Sequence, residues 1–360
     1  MGVLSDADAP DSSVPAAPGR RRALRSVNIS GTARATGSDV LRLCHSGPVT
    51  TGERVRMAMA TRAPLDVLLR PAALARAWMG AGRVQETIAV PGVVLAPGEA
   101  LVRVELATIA DEDLAVADGH DDCPVPTVLG REFVGRIAAL GGAVPATDGS
   151  SLDLGERIVC AAGARERIAP HRELVGGFAT HVHLRAATPI VRVGETLPAC
   201  ILAPLPGAFA RAAAVLRSIA QAIDLEEAVV RVTGSGADPL VIAAMATEAG
   251  AAVEIASADP RVRARAHRFG ASLAGGRPPA HGPRLGVTSS DGESIEVAAG
   301  APEPVAADLE AAVAFIRNPG TRRYPFADLV SVPMPLDRLD EAIELARAGG
   351  HLRMAIAPGG

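Results

Sequence analysis

A strand–turn–helix–strand pattern in the second half of this 360-residue chain restricts its fold more than any other feature. The pattern begins with the apolar run Ala228–Thr233, followed by a turn that contains Gly234 and Gly236. Two further apolar runs, Leu240–Ala249 and Ala252–Ala256, come after the turn. Buried strands that flank a helix, with glycines between the first strand and the helix, are typical of a parallel βαβ unit. We therefore expect an α/β domain built on a parallel sheet.

The glycine turn of this unit indicates a dinucleotide site. In such a turn the first glycine permits a tight bend, the second lets the backbone approach a pyrophosphate, and the following helix N-terminus favours negative charge. Gly234 and Gly236 occupy the first two positions, and Asp238 followed by Pro239 is a suitable N-cap and first helical residue. The third glycine position holds Pro239, and a carboxylate at Asp238 competes with a pyrophosphate.

The end of the second strand indicates which dinucleotide is preferred. A site for NAD normally offers Asp or Glu to the ribose hydroxyls about twenty residues after the turn. Here the chain has Ser257, with Arg261 and Arg263 nearby. A small hydroxyl beside arginines suits a 2′-phosphate, so we expect NADPH to be preferred over NADH. Two alternatives stay open: the arginines line a solvated helix face, or Asp259 replaces the usual ribose ligand.

Composition and charge exclude several kinds of partner. The net charge is −4 with no basic field, so nucleic acid is not expected. We find no run of about 18 apolar residues and no signal pattern, so no membrane span is expected. The 4 cysteines form no Cys-x-x-Cys pair, which fits a reduced cytoplasm. All 36 basic residues are arginine, which excludes lysine chemistry and leaves phosphates to arginine, backbone or helix ends.

The N-terminal residues 1–70 stand apart in composition. They are rich in Ser, Ala, Gly, Pro and Arg, which favours a disordered or irregular extension. Such an extension either has no function or docks a partner, and the composition leaves both readings open. At its end, the stretch Leu65–Met79 is expected to form a helix.

Turn signals divide the rest of the chain into domains. In residues 71–210, short apolar runs separated by Gly/Pro turns predict a mainly β domain. A helix that starts near Ala208 leads into a second domain, residues 211–345, which contains the βαβ unit. Residues 346–360 are expected to return to the first domain.

Several blocks carry a resemblance to a known family. Pro126–Gly135 resembles a segment with Gly-His-Glu, Gly176–Leu184 resembles a Gly-Gly-Phe/Tyr-Ala block, and Tyr324–Ser331 with Pro335–Ile343 resemble a C-terminal end. Through these blocks the chain resembles the medium-chain dehydrogenase/reductase family of zinc alcohol dehydrogenases over residues 72–358. It is most similar to the alcohol dehydrogenase-like proteins of bacterial phosphonate and C7-cyclitol pathways. The resemblance implies an α/β fold, with a mainly β GroES-like catalytic domain and a shortened Rossmann cofactor domain.

The departures from the family pattern fall on the zinc site. Ala110 stands where the resemblance implies Cys, Arg131 replaces His, and Gly207 has no donor atom at the third ligand position. Catalytic zinc requires three protein ligands, so zinc is not expected. The four-Cys lobe of a structural zinc is also missing after Cys160. Of the usual set only Glu132 remains.

The remaining motif positions suggest chemistry without zinc. Arg131 is expected to act as a fixed cation that polarises a carbonyl. Glu132 is its neighbour, and Asp113 occupies the Asp position of the family motif. These three are the predicted catalytic residues. The predicted cofactor-binding residues are Gly234, Gly236, Ser257, Arg261 and Arg263.

The cofactor domain is short. Gly292–Val305 resembles the fourth strand of the family and its following turn, and the chain then passes directly to the apolar stretch Leu309–Ile316. The later strands, which in the family flank the nicotinamide and pair subunits, are missing. We therefore expect an incomplete sheet with an exposed edge, and a homodimer stays open.

Three functions remain open at this stage. The first is a zinc-independent, NADPH-dependent oxidoreductase that reduces a small polar ketone or enone, cyclitol-like, in bacterial secondary metabolism. Its expected partner is a small-molecule substrate. The second is a catalytically inactive, degenerate dehydrogenase that serves as a binding or scaffold protein. The third is a zinc-dependent alcohol dehydrogenase with substitute ligands.

Overall fold

The computed structural model describes residues 64–120, 123–161, 175–275, 284–289, 292, 294–298 and 302–359. The predicted extension lies outside these ranges up to residue 63. Within them, the strands β1 to β15 are Leu65–Trp78, Glu86–Leu95, Ala100–Ile109, Thr127–Val128, Glu132–Leu140, Arg157–Cys160, His181–Leu184, Ile190–Arg192, Val229–Thr233, Ala252–Ala256, Ala271–Leu273, Arg284–Thr288, Ser294–Ala298, Met334–Pro335 and Met354–Ala357. The α-helices α1 to α7 are Asp111–Ala117, Ala199–Leu202, Ala210–Ala220, Asp238–Glu248, Pro260–Arg265, Ala306–Arg317 and Leu339–Arg347. A π-helical turn at Leu205–Phe209 joins α2 to α3, and 3₁₀ turns lie at Ala266–Phe269, Pro319–Arg323, Phe326–Leu329 and Leu336–Arg338.

The first described segment is a strand, so the helix predicted for Leu65–Met79 is wrong. β1 pairs antiparallel with β2 along most of its length. Ala73 and Ala75 are buried, whereas Leu74 between them is 42% exposed. This alternation has the period of a strand, and pairing with β2 outweighs the helix propensity of leucine and alanine.

The mainly β part of the chain is built on a large sheet with the strand order β14-β15-β3-β5-β6-β8, to which β7 adds by pairing with β3. A smaller sheet, β2-β1-β4, packs beside it. The last strands belong to this part, because β15 pairs with β3 and β14 pairs with β15. Helix α7 buries Leu339 and Ala342 in the same core. The C-terminal return therefore begins at Met334, earlier than residue 346.

A third sheet, which contains the βαβ unit, has the order β11-β10-β9-β12-β13. Strands β9, β10 and β11 are parallel, as predicted for the βαβ unit. The neighbour on the other side of β9 is β12, which runs antiparallel and buries Leu285 and Val287. The segment expected to supply the fourth strand contains β13, which pairs with β12 and does not touch β9. The sequence did not predict β12, and its insertion moves β13 to the outer position.

A long helical stretch, Ala199–Ala220, connects the two sheets along the chain. Its mean hydropathy is 1.7, and by length and composition it is able to cross a membrane. However, 78% of its apolar window is buried inside the protein, as in the core helix of a globular fold. Phe209 on this stretch contacts Phe326 with ring centroids 5.1 Å apart, within a small aromatic cluster in an otherwise aliphatic core.

Candidate active site

The candidate active site lies where the mainly β part of the chain meets the βαβ unit, around the buried carboxylate of Glu132. Glu132 begins β5 opposite Thr108 of β3, and the Thr108 hydroxyl donates to Glu132 Oε2 over 2.6 Å. The backbone N–H of Ala208, in the π-helical turn, donates to Oε1 at 3.1 Å. Arg353 Nε donates to Oε2 at 3.2 Å. Both carboxylate oxygens are therefore bound by the protein.

Arg353 joins the two parts of the molecule through a fully buried guanidinium. Besides Glu132, it binds Asp111 Oδ2 through Nη1 at 3.2 Å and Asp238 Oδ1 through Nη2 at 2.8 Å. Asp111 starts α1 in the mainly β part, and Asp238 starts α4 at the glycine turn. A buried arginine requires paired anions, and here three carboxylates from distant segments supply them.

A second buried arginine extends this network. Arg211 of α3 donates through Nε to Asp238 Oδ2 at 3.0 Å and forms a short ion pair with Glu112. Burial opposes the ionisation of Asp238, but Arg211 and Arg353 hold its pKa below the ordinary value. Asp238 was predicted to be an N-cap, yet α4 begins at Asp238 itself with Ala237 as N-cap. Its side chain therefore pairs with the arginines and caps nothing.

Two carboxyl groups at the site have raised pKa values. Burial raises the pKa of Glu132 to about 7, although Arg353 and other partners favour its ionised form. Burial likewise raises the pKa of Asp113 to about 6. Asp113 accepts hydrogen bonds from Ala110 N at 3.0 Å and Gly130 N at 2.9 Å. Asp113 thus fixes the backbone on both sides of the site, and Glu132 has the higher pKa of the two carboxyl groups.

The residues present do not fit a catalytic zinc ion. Ala110 is fully buried and has no donor atom. A Cβ placed on Gly207 would lie 2.0 Å from Glu132 Oε1, so the third ligand position is filled by the Glu132 side chain. No group of three or more His, Cys, Asp or Glu side chains in the described ranges is arranged to hold a metal ion. The loss of zinc itself stays a prediction.

Arg131 is partly exposed beside this network. In the part of the chain that the structure describes, it has no hydrogen-bond or salt-bridge partner. Burial raises the pKa of Asp113, and the positive charge of Arg131 partly opposes that rise. The cation in contact with Glu132 is Arg353. The predicted catalytic residues are therefore close in space, but the proposed role of Arg131 as a carbonyl-polarising cation stays a prediction.

Both glycines of the predicted cofactor turn have positive φ angles. Gly234 has φ 150° and Gly236 has φ 75°, conformations that favour glycine. The Ser257 hydroxyl donates to Gly234 O at 2.5 Å and accepts from Asp259 N at 3.1 Å. A carboxylate, that of Asp111, stands against the turn, since a Cβ on Gly236 would lie 2.5 Å from Asp111 Oδ2.

The two arginines predicted to bind a 2′-phosphate lie close to this turn. Arg261 pairs with Asp259, with Nη2 2.7 Å from Oδ2, and also donates to His351 O at 2.6 Å. Arg263 donates to the backbone oxygens of Ser257 at 3.0 Å and Ala258 at 2.7 Å. The structure thus gathers the predicted cofactor residues at the ends of β9 and β10, with both guanidinium groups engaged by the protein.

Parts of this structure are similar to known proteins.

Residues 96–195 match the family model of the alcohol dehydrogenase GroES-like domain.

This match covers β3 to β8 and so contains Thr108, Asp113 and Glu132. A search of curated proteins found no significant match.

Solved structures extend the likeness to both sheets. An alcohol dehydrogenase from Thermotoga maritima has a TM-score of 0.65 at 15% identity and covers 82% of this chain and 100% of its own. A Sinorhizobium meliloti protein bound to NADP has a TM-score of 0.58 at 18% identity, covering 80% and 99%. Acetophenone reductase from Geotrichum candidum, in complex with NAD, has a TM-score of 0.60 at 14% identity, covering 80% and 97%. The predicted fold, a GroES-like domain with a Rossmann-like sheet, is confirmed.

Sequence reasoning missed two residues that organise the site, Arg353 and Arg211. Both had a detectable signal, because each is a charge inside or next to an apolar stretch. Arg353 stands between Leu352 and the apolar run Met354–Ala357, and Arg211 lies within the alanine-rich helix α3. A charge in the middle of a buried element indicates a buried partner of opposite sign. The pattern does not say which carboxylate that partner is.

Proposed function

We propose that this chain is an oxidoreductase of the alcohol dehydrogenase type that works without zinc, uses NADPH and reduces a small polar ketone or enone. The observation that carries the proposal is the position of the Glu132–Arg353 pair. It lies where a GroES-like domain meets the glycine turn of a Rossmann-like sheet. In α/β sheets of this kind, ligands bind at the carboxyl ends of the parallel strands. The oxidoreductase names of neighbours with this fold agree with the reaction class.

The dinucleotide would be held by the residues around the glycine turn. Gly234, Gly236 and the N-terminus of α4 are suited to a pyrophosphate. Arg261 and Arg263, on helix α5 after β10, are suited to a 2′-phosphate. When bound, NADPH supplies the hydride for the reduction. A neighbour of this fold is known with NADP bound.

The protein's own groups would handle the charge and the proton. Reduction of a carbonyl places negative charge on its oxygen, which a fixed cation stabilises. Arg131 is such a cation, since none of the described residues neutralises it by direct pairing. The oxygen also needs a proton, and a general acid works best when its pKa is close to the ambient pH. Glu132, with a pKa of about 7, meets that condition.

The substrate class follows from the sequence resemblance. Similarity to alcohol dehydrogenase-like proteins of C7-cyclitol pathways favours a polyhydroxylated ring ketone or enone. We place the reaction in the cytoplasm, in bacterial secondary metabolism. This assignment rests on the blocks Pro126–Gly135 and Gly176–Leu184.

The reaction can be tested with purified protein, NADPH and a panel of cyclic ketones, enones and alcohols. We expect NADPH oxidation with a polar ketone or enone. Arg131→Ala should lower turnover by about 10²–10³ while NADPH affinity stays unchanged, because one charge-stabilising donor is lost. Arg103→Ala, which removes an exposed arginine of β3, is the control and should keep full turnover. Turnover that survives Arg131→Ala rejects this role for Arg131, and no turnover across the panel rejects the reductase.

The cofactor preference needs a separate measurement. Arg261→Gln and Arg263→Gln should each weaken NADPH binding by about tenfold and leave NADH binding unchanged, since only NADPH carries the 2′-phosphate. Calorimetry with each cofactor measures both affinities. Equal losses for both cofactors would show that the arginines act on the fold of the turn and not on the phosphate.

The second candidate is a catalytically inactive dehydrogenase that serves as a binding or scaffold protein. The observation that favours it is the occupation of the cofactor site by the protein itself. Asp111 stands against Gly236, and Arg261 and Arg353 are paired with carboxylates. Absence of both NADPH binding and turnover would support this candidate over the reductase.

A further inference from the structure

The carboxylate of Asp111 reaches from one part of the molecule onto the glycine turn of the other. Asp111 is the first residue of α1, which follows β3 of the GroES-like domain. Its Oδ2 atom lies 2.5 Å from the position that a Cβ on Gly236 would take. The absent side chain of Gly236 therefore leaves a space, and a carboxylate oxygen from the other part of the molecule borders it.

Asp111 also contacts Arg353, and of these two side chains only that of Asp111 is exposed. The same Oδ2 atom accepts from Arg353 Nη1 at 3.2 Å. The Arg353 side chain is fully buried, whereas the Asp111 side chain is 55% exposed. Arg353 keeps Glu132 and Asp238 when Asp111 turns away, so the buried network retains its charge balance. Rotation of the exposed Asp111 side chain removes this carboxylate from the turn, while Asp259 Oδ2 still accepts from Gly236 N at 3.5 Å.

The face of Gly236 that Asp111 covers is the face that a dinucleotide needs. The second glycine of such a turn is there so that a pyrophosphate can approach the backbone. A carboxylate and a pyrophosphate are both anions, and placing like charges together opposes binding. The neighbouring carboxylates of Glu112 and Asp238 are paired with Arg211 and Arg353, so the exposed carboxylate of Asp111 is the one that an incoming anion meets.

We propose that Asp111 sets the affinity of this protein for pyrophosphate-containing ligands. Its carboxylate covers the glycine turn and leaves when a dinucleotide binds. The departure frees Arg353 Nη1, which can then donate to a phosphate oxygen. The inference rests on the proposed function in one respect, namely that a dinucleotide uses this turn.

The test is a set of binding measurements by calorimetry, independent of turnover. The ligands are NADPH, ADP-ribose, which keeps the pyrophosphate without nicotinamide, and adenosine, which has no phosphate. We expect Asp111→Ala to bind ADP-ribose and NADPH at least about tenfold more tightly than the wild type, with adenosine unchanged. The matched control is Asp118→Ala, which removes the same charge at the other end of α1, where Asp118 pairs with Arg347.

Asp111→Asn is the second variant, because it removes the charge but keeps an oxygen for Arg353. It protects the test against misfolding of Asp111→Ala, and it should also bind ADP-ribose more tightly than the wild type. Equal or weaker ADP-ribose binding by the Asp111 variants overturns the inference and leaves the proposed function standing. No binding of ADP-ribose or NADPH by any of the proteins overturns both.

Discussion

The side chain of Glu132 fills the space beside Gly207: a Cβ on Gly207 would lie 2.0 Å from Glu132 Oε1 and 2.6 Å from its Cδ. The next residue, Ala208, donates its N–H to the same oxygen at 3.1 Å. The Glu132 carboxylate therefore rests on the backbone of the π-helical turn. This carboxylate takes the space that a side chain would need at Gly207, the third zinc-ligand position of the family pattern.

Gly207→Ala should lower the free energy of unfolding by about 1–3 kcal/mol, because the added methyl group overpacks a buried contact. Urea denaturation followed by far-UV circular dichroism measures the change. Gly275→Ala is the control, since a Cβ there meets nothing within 4 Å, and it should be nearly neutral. In a Glu132→Ala background the cost of Gly207→Ala should shrink. A cost that is unchanged in that background would reject the steric explanation.

The purified protein should contain well under one zinc ion per chain at neutral pH. Ala110 and Gly207 have no donor atoms, and the Glu132 carboxylate is already bound by Arg353 and Ala208. Introducing Cys at 110 and 207 together with Arg131→His should not recover stoichiometric zinc, because the Cβ at 207 collides with Glu132. Elemental analysis measures the zinc content per chain of the wild type and of the triple variant. Stoichiometric zinc in the wild type contradicts the site described above.

Arg353→Ala should cost about 3–5 kcal/mol of stability, because it leaves the carboxylates of Glu132 and Asp238 buried without their shared cation. Chemical denaturation measures the loss, and Arg353→Lys, which keeps the charge, provides a folded comparison with a smaller loss. The control is Arg338→Ala, which breaks the exposed pair with Glu341 and should cost less than about 1 kcal/mol. Similar small losses for Arg353→Ala and Arg338→Ala would mean that the buried network does not hold the two parts together.

The buried Glu132 should make stability depend on pH. Its pKa is about 7 in the folded protein against 4.5 for an ordinary glutamate, so the folded state keeps a proton that the unfolded state has lost. This contribution is full below about pH 4.5 and is lost as the pH rises through about 7. Relative to Glu132→Gln, the wild type should lose up to about 1.4 kcal/mol per pH unit in that window.

Denaturation curves of both proteins between these pH values give the difference. Glu195→Gln is the control and should leave the slope between these pH values nearly unchanged, because the hydrogen bond from Arg136 holds the pKa of Glu195 below its usual range. An identical slope for wild type and Glu132→Gln would contradict the raised pKa of Glu132.

Local patterns in the sequence were sufficient for the βαβ unit and for its glycine turn. β9, α4 and β10 lie where the apolar runs place them, because burial against one neighbouring layer imposes a period that can be read locally. The identity of single residues was sufficient to show that Ala110 and Gly207 lack donor atoms. The same local reasoning was wrong for Leu65–Met79, where pairing with the distant β2 decides the conformation, and it missed β12 altogether.

The chemistry of the site was decided only by the tertiary structure. Glu132 and Arg353 are 221 positions apart, and Asp111 and Arg353 are 242 apart, so no periodicity links them. The sequence identified Glu132 as the surviving motif residue, whereas Arg353, which directly precedes the last strand, was not recognised. Which carboxylates meet that charge depends on how the two sheets pack, because a buried ion pair forms only between groups that the folded backbone brings within a few ångströms. The position of Asp111 against Gly236 likewise depends on how the two sheets pack.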